Sequence, residues 1–240
     1  MIIQSRQTPF RCYRLHGRLA LLLCLLLILV LADCTAIQLN TFKKRAADGD
    51  HGWIAAQAVV CENASEICGQ LHLIKGDACF RLATAGTAPD DNYACAADEL
   101  QRGLALIRSW TNPADHRQFQ ENLCESLVKL QDLQSAEAAG QTLARSVEAA
   151  EKLYQLAPRS VPAVYYLAWV RLRQAQPMIL DINAATRVPV CNRLKRTVTD
   201  VLMIMETTGT SPLPDWDRFA DNYQRLAFDL GSAMRAAGCR

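Results

Sequence analysis

Every common catalytic signature is missing from this sequence. It has no H-E-x-x-H, no phosphate-binding P-loop, no G-x-G-x-x-G and no G-x-S-x-G. Histidine is scarce, four in 240 residues, and no C-x-x-C occurs among the ten cysteines. Zinc-finger, zinc-ribbon and c-type haem sites therefore lack ligands at their usual spacing. No segment shows the strict apolar/polar alternation of a half-buried strand. An excess of one charge is also lacking: 26 Lys and Arg face 24 Asp and Glu, for a net +2. That balance argues against a basic nucleic-acid surface, and 50% apolar residues argue against a disordered chain. These absences leave an all-α, non-catalytic protein with no expected cofactor or metal.

The most informative feature present is the run Leu19–Ala32, preceded by Arg6, Arg11, Arg14 and Arg18. A basic start, an apolar core and a small-residue exit make a secretory leader. Its 14 apolar residues would form about 21 Å of helix, short of the ~30 Å hydrocarbon core of a bilayer. Without residues 1–33, about 200 remain, enough for one domain with a core of its own or a short repeat array. Leu31-Ala32-Asp33-Cys34 resembles the lipobox of bacterial lipoproteins, which implies acylation at Cys34 and an anchor in the cell envelope, on the periplasmic side of the outer membrane. Asp33 departs from the small residue usual there, and Val30-Leu31-Ala32 also suits ordinary leader cleavage to a soluble product. The expected divisions are a signal peptide at 1–33, an anchor cysteine and tether at 34–52, and a helical domain at 53–240. Within the tether, Lys43, Lys44 and Arg45 could lie on anionic head groups.

Export fits the cysteine usage. Beyond Cys34, the remaining chain holds Cys61, Cys68, Cys79, Cys95, Cys124, Cys191 and Cys239, an odd number that leaves at least one thiol unpaired within the chain. Cys79 and Cys95 flank the Gly86–Pro89 break symmetrically, as the arms of a helical hairpin would place them. Cys191 and Cys239 are expected at one end of another hairpin, and Cys61 and Cys68 bracket a tight turn. Cys124, beside Leu123 and Leu127, then remains as a small buried hydrophobe. The nearest mixed cluster, Cys68, His72 and Cys79, has no common zinc spacing.

Helical periodicity covers most of the chain. Trp216, Phe219, Tyr223, Leu226, Leu230, Met234 and Ala237 form one apolar stripe at steps of three and four. Phe119, Leu123, Leu127 and Leu130 form another. Leu143, Val147, Ala150, Leu153 and Leu156 give a third, and Tyr93, Ala97, Leu100, Leu104 and Ile107 a fourth. Val161–Leu172 is apolar on most sides and predicts a buried helix. Breaks are expected at Gly86–Pro89, Asn112-Pro113, Pro158, Pro177, Pro189 and Gly209–Pro214. Long helices separated by short breaks predict stacked antiparallel helix pairs.

Ser146–Pro158 (SVEAAEKLYQLAP) resembles the second helix of a tetratricopeptide repeat. Val161–Arg171 resembles the first helix of the following repeat, with Val164, Leu167, Ala168 and Arg171 at its motif positions. Leu71–Leu82 is similar to another first helix, with Gly76 and Cys79 at the close-packing and aromatic positions. The resemblance implies a solenoid of stacked helix pairs, a binding scaffold rather than an enzyme. Joined to the lipobox, it is similar to the periplasmic repeat lipoproteins that accompany TRAP-type transporters. Envelope proteins, including transporter or secretion components, are the partners this implies.

The remaining polar groups have structural readings. Asp48-Gly49-Asp50-His51-Gly52 lacks the later ligands of a calcium loop and is expected to belong to the tether. Asp90-Asp91 suit a helix start, Asp98-Glu99 a solvated face, and His116 a cap or surface position. The four tryptophans, Trp53, Trp110, Trp169 and Trp216, are expected to pack. Tyr165, Tyr166 and Trp169 are the candidates for binding a ligand or partner. Polar, charged residues on the concave face of the helix pairs favour a protein scaffold; a closed apolar cavity, which these three residues could line, favours a carrier of a small apolar ligand associated with a transporter. Convergent ionisable groups are needed for a third alternative, a hydrolase.

Overall fold

Short polar side chains decide where most helices begin. A computed structural model describes residues 35–61 and 63–239, so the leader, Asp33 and the Cys34 lipidation site lie outside the described residues. Helix α1 runs over 35–47. Asp50 starts α2 (His51–Ala56) by accepting from the Trp53 amide, and Ser65 starts α3 (Glu66–Thr84) by accepting from the Cys68 amide. Helix α4 (Pro89–Leu106) carries Pro89, Asp90 and Asp91 in its first turn, where a fixed φ and negative charge both suit a helix N-terminus. Asn112 caps α5 (Pro113–Leu133), and α6 spans Ala136–Leu156. Ser160 caps α7 (Val161–Leu180), an Asn183–Thr186 capping box opens α8 (Ala184–Thr210), and α9 is Trp216–Ala236. Gly86 (φ +80°) and Gly238 (φ +67°) follow α3 and α9 in the left-handed conformation that ends a helix.

Among the described residues the fold is all-α, nine helices and no strand, with neighbouring helices packed in pairs. The tightest crossing joins α3 to α4. A Cβ on Gly76 would come within 2.7 Å of Leu100 Cγ and 2.9 Å of the Leu100 amide; one on Gly103 would meet Leu73 at 2.7 Å and its amide at 2.9 Å. Each glycine is thus a notch for a leucine of the other helix, and the close packing expected at Gly76 is present. Further along, α3 also touches α5, α5 touches α7, and α7 touches α9. The main core runs through α3–α9, with Leu100, Leu127, Leu153, Leu194, Tyr223 and Leu230 fully buried. A smaller core of Leu39, Phe42, Ile54, Leu71 and Ala78 lies under α1, α2 and α3.

All three disulfides expected from spacing are formed. Cys61–Cys68, Cys79–Cys95 and Cys191–Cys239 have Cα separations of 5.8, 5.9 and 5.4 Å. Each stabilises by about 2–4 kcal/mol, mainly by restricting the unfolded chain. Cys124 is the free, buried cysteine among the described residues, and burial pushes its thiol up.

Three expectations are corrected. Residues 35–52 are not a loose tether: they form α1, a turn and the start of α2, and Phe42 is completely buried with its ring 6.0 Å from that of Trp53. Within the turn, Asp50 accepts from Arg45 at 2.8 Å besides capping α2. Pro177 and Pro189 are not breaks. Pro177 lies in the last turns of α7, after that helix has already buried its face as far as Ala175. Pro189 is the sixth residue of α8, where the capping box before it and buried Val190 and Cys191 after it hold the turn despite one lost hydrogen bond. Cys191 consequently lies inside α8, two residues after Pro189. The break itself falls at 181–183. As the wide spacing of the prolines in the sequence implies, each pair takes more chain than the roughly 34 residues of a tetratricopeptide unit: α3, α5 and α7 begin at Glu66, Pro113 and Val161. No described helix is long and apolar enough to cross a membrane.

The α3–α4 notch gives a direct test. Gly76→Ala must push the Leu100 backbone aside and is expected to lose about 1–3 kcal/mol in urea unfolding. Gly140→Ala, on α6 with nothing within 4 Å of the added carbon, is expected to gain up to about 1 kcal/mol. Equal effects at both positions would contradict the notch.

Candidate functional site

Helix α7 is apolar on nearly every side, so it is covered by neighbours except along one strip. There, between α5, α7 and α9, lies an open groove of about 350 Å³. Tyr165, Tyr166 and Trp169 from α7 form its floor together with Phe219 from α9. The ring centroids of Tyr165 and Tyr166 are 5.2 Å apart, and Phe219 meets them edge-on at 5.1 and 5.7 Å. Tyr223 anchors this arrangement, its hydroxyl donating to the Val161 carbonyl at 2.8 Å and so pinning α9 to the first turn of α7. The sequence candidates are therefore gathered on one surface, although Tyr166 and Trp169 are more buried than their aromatic character alone suggests.

The walls are charged, with both signs interleaved. Asp132, Lys129 and Glu125 come from α5, Arg173 from α7, and Arg218, Arg225 and Asp229 from α9. Arg173 lies over the Trp169 ring at 4.9 Å while pairing with Asp132 at 3.2 Å. Arg218 covers Phe219 at 4.7 Å and forms an ion pair with buried Glu121. At the base, Tyr166 hydroxyl lies 3.4 Å from a Glu125 carboxyl oxygen. Burial raises the Glu125 carboxyl above its ordinary 4.5, against the opposing pull of Lys129 and of the Tyr166 hydrogen bond. Burial, aided by the Asp132 charge, pushes the Tyr165 hydroxyl up to about 12. Such a surface offers the partly exposed Tyr165 ring to flat or aliphatic groups, and charges of either sign around it.

A second polar cluster lies between α3 and α4. Glu99 is 8% exposed and accepts from His72 Nδ1 and, at 3.0 Å, from Lys75 Nζ. Burial works against its charge, but these hydrogen bonds and the Lys75 charge prevail and hold the carboxyl below its ordinary value. The expected solvated face at Asp98-Glu99 is thus half right. Asp98 faces outward to Arg145 at 2.8 Å, whereas Glu99, next to Leu100 in the notch, points into α3. Near the start of α5, His116 stacks on Trp110 with ring centroids 4.4 Å apart, and burial lowers its pKa. It lies beyond the cap itself, which Asn112 provides.

Sequence reading found the groove's aromatic floor but not its charged rim. Arg173 interrupts the apolar α7 run and was available as a signal; Glu125, Arg218 and Arg225 carry no pattern that separates them from an ordinary helix surface. The chain matches no family model and no curated protein.

The shifted carboxyl generates a pH test. Because Glu125 holds its proton more tightly when folded, it favours folding at low pH. That contribution is lost as pH rises from the ordinary glutamate range through the raised value, and it stays constant above. Glu125→Gln removes this slope, so the variant's melting temperature is expected to gain on wild type as pH rises above the ordinary glutamate range. Two parallel curves would contradict the burial of this carboxyl.

Proposed function

We propose that this chain is a non-catalytic, lipid-anchored scaffold of a bacterial envelope. It is attached through Cys34 on the periplasmic side of the outer membrane and receives a segment of a partner protein in the α5–α7–α9 groove. In this reading the helix pairs are degenerate tetratricopeptide-like repeats, and the partner is an envelope component such as part of a transporter or secretion machine. One observation carries it: the α5–α7–α9 groove is open, with Tyr165 partly exposed above the buried rings of Tyr166, Trp169 and Phe219, and is walled by charges of both signs. Peptides present alternating apolar and charged groups that match such a surface, whereas a small apolar ligand is better served by a closed, uncharged cavity. Three disulfides fit an oxidising compartment. The contacts of α3 with α5, α5 with α7 and α7 with α9 are those of stacked pairs.

Helix α1 adds a consequence for the anchor. Its described part, residues 35–47, follows Cys34 directly in sequence, so lipidation there holds the folded domain close to the bilayer, with exposed Lys43 and Lys44 on about 20 Å of helix. These lysines then lie within reach of anionic head groups.

The test joins mass and cross-linking on the membrane-extracted full chain. A mass starting at Cys34 with a diacyl or triacyl adduct is expected. A photo-crosslinking residue at position 222 in the groove is expected to capture one defined partner protein, and Tyr165→Ala or Arg225→Glu to abolish that adduct. A lipid-free chain starting at Asp33 that copurifies with a small molecule would overturn the reading in favour of the carrier.

A further inference from the structure

One corner of the molecule contains more chemistry than a structural disulfide needs. Cys68 and His72 are one turn apart on the same face of α3, and the loop after α2 brings Cys61 to them. The two sulfurs and a ring nitrogen of His72 all lie within 4.8 Å of one another. His72 Nδ1 is engaged by the carboxylate of Glu99. That is the support metal-binding histidines ordinarily have: a carboxylate fixes the ring and leaves Nε2 as the donor.

We propose that reducing Cys61–Cys68 turns this corner into a Cys₂His site for a thiolate-preferring divalent cation such as Zn²⁺, with Glu99 as the positioning residue for His72. A dithiol supplies the two electrons and two protons. The Cys61–Cys68 bond breaks, two thiols form, and the dithiol closes to its own disulfide. The cation then displaces both thiol protons and accepts one lone pair from each sulfur and one from His72, leaving a fourth position for water. Tetrahedral coordination at about 2.3 Å from each sulfur needs the sulfurs about 3.8 Å apart. With Cα atoms 5.8 Å apart, side-chain rotation alone can supply that separation.

The ligands also stay in place without the disulfide. Val59 and Cys61 pack on the small core of Leu39, Phe42, Ile54 and Leu71. Gln38 donates to the Ala58 carbonyl at 2.8 Å. The loop is thus held against α3 by contacts that reduction does not remove. This assignment is independent of the groove and of the anchor.

The experiment treats the full chain with dithiothreitol, maps free thiols by alkylation, removes the reductant under anaerobic conditions and titrates with Co²⁺ and then Zn²⁺. The expected result is one Co²⁺ per chain with a thiolate charge-transfer band, displaced by Zn²⁺ and absent from the oxidised protein. Cys61→Ser and His72→Gln are each expected to weaken binding at least tenfold. Glu99→Gln should weaken it roughly 10–100-fold while leaving the band's shape unchanged, and Glu99→Asp should recover part of the loss. Replacing Cys79 and Cys95 together by Ser should leave the band intact. If His72→Gln fails to fold, as read by circular dichroism, Cys61→Ser decides, because Cys61 lies in a loop outside the main core. Absence of Co²⁺ binding when Cys61 and Cys68 are demonstrably free would overturn the proposal. So would a band unchanged in Cys61→Ser.

Discussion

The close approach of α3 and α4 is the constraint on which the other helices depend. Two glycines, Gly76 and Gly103, remove the side chains that would hold the helices apart, and Leu100 and Leu73 fill the space. Contact at this distance leaves no room for water, so the polar groups trapped beside it must satisfy one another. Glu99, His72 and Lys75 do so. The Cys79–Cys95 disulfide closes the same hairpin, linking the two helices on either side of the turn. Packing, charge and covalent chemistry therefore agree on a single arrangement of this pair, the condition for one well-defined fold.

From that pair the chain adds helices, each burying what its predecessor leaves exposed. The sequence of α7 is the extreme case: an almost wholly apolar helix demands cover from α5, α6, α8 and α9 at once. The cover is thinnest at Tyr165, with Tyr166 and Trp169 buried beside it, and charged side chains from three helices close around the gap. A groove of this kind follows from geometry, since a helix packed by several neighbours leaves a seam wherever two of them diverge. Its distinctive character lies in the ring and guanidinium contacts of Arg173 and Arg218, which give an apolar floor a polar border.

How much was legible in the sequence depended on the range of the interaction. The helical stripes and the disulfide partners were readable because they follow from local periodicity and from symmetry about a break. Proline misled at 177 and 189: its intrinsic preference to end a helix was overridden by neighbouring burial and by a capping box. The polar stretch at 41–50 read as a tether because Phe42 is its one large apolar residue, and with Leu39 before the stretch that is too little to register as a stripe. Glu99 was misplaced because its partners lie on another helix, a relation that spacing along the chain does not encode. The groove was half legible for the same reason, aromatic residues being visible within one helix and the charged rim assembled from three.

Native-state hydrogen exchange, followed residue by residue on the oxidised protein, tests the primacy of the α3–α4 pair most directly. Amides in the middle of α3 and α4 are expected to exchange only through global unfolding and to be the slowest in the chain, with α8 and α9 opening earlier. Exchange of α3 and α4 ahead of α7 and α9 would contradict it and move the organising centre of the fold to the groove.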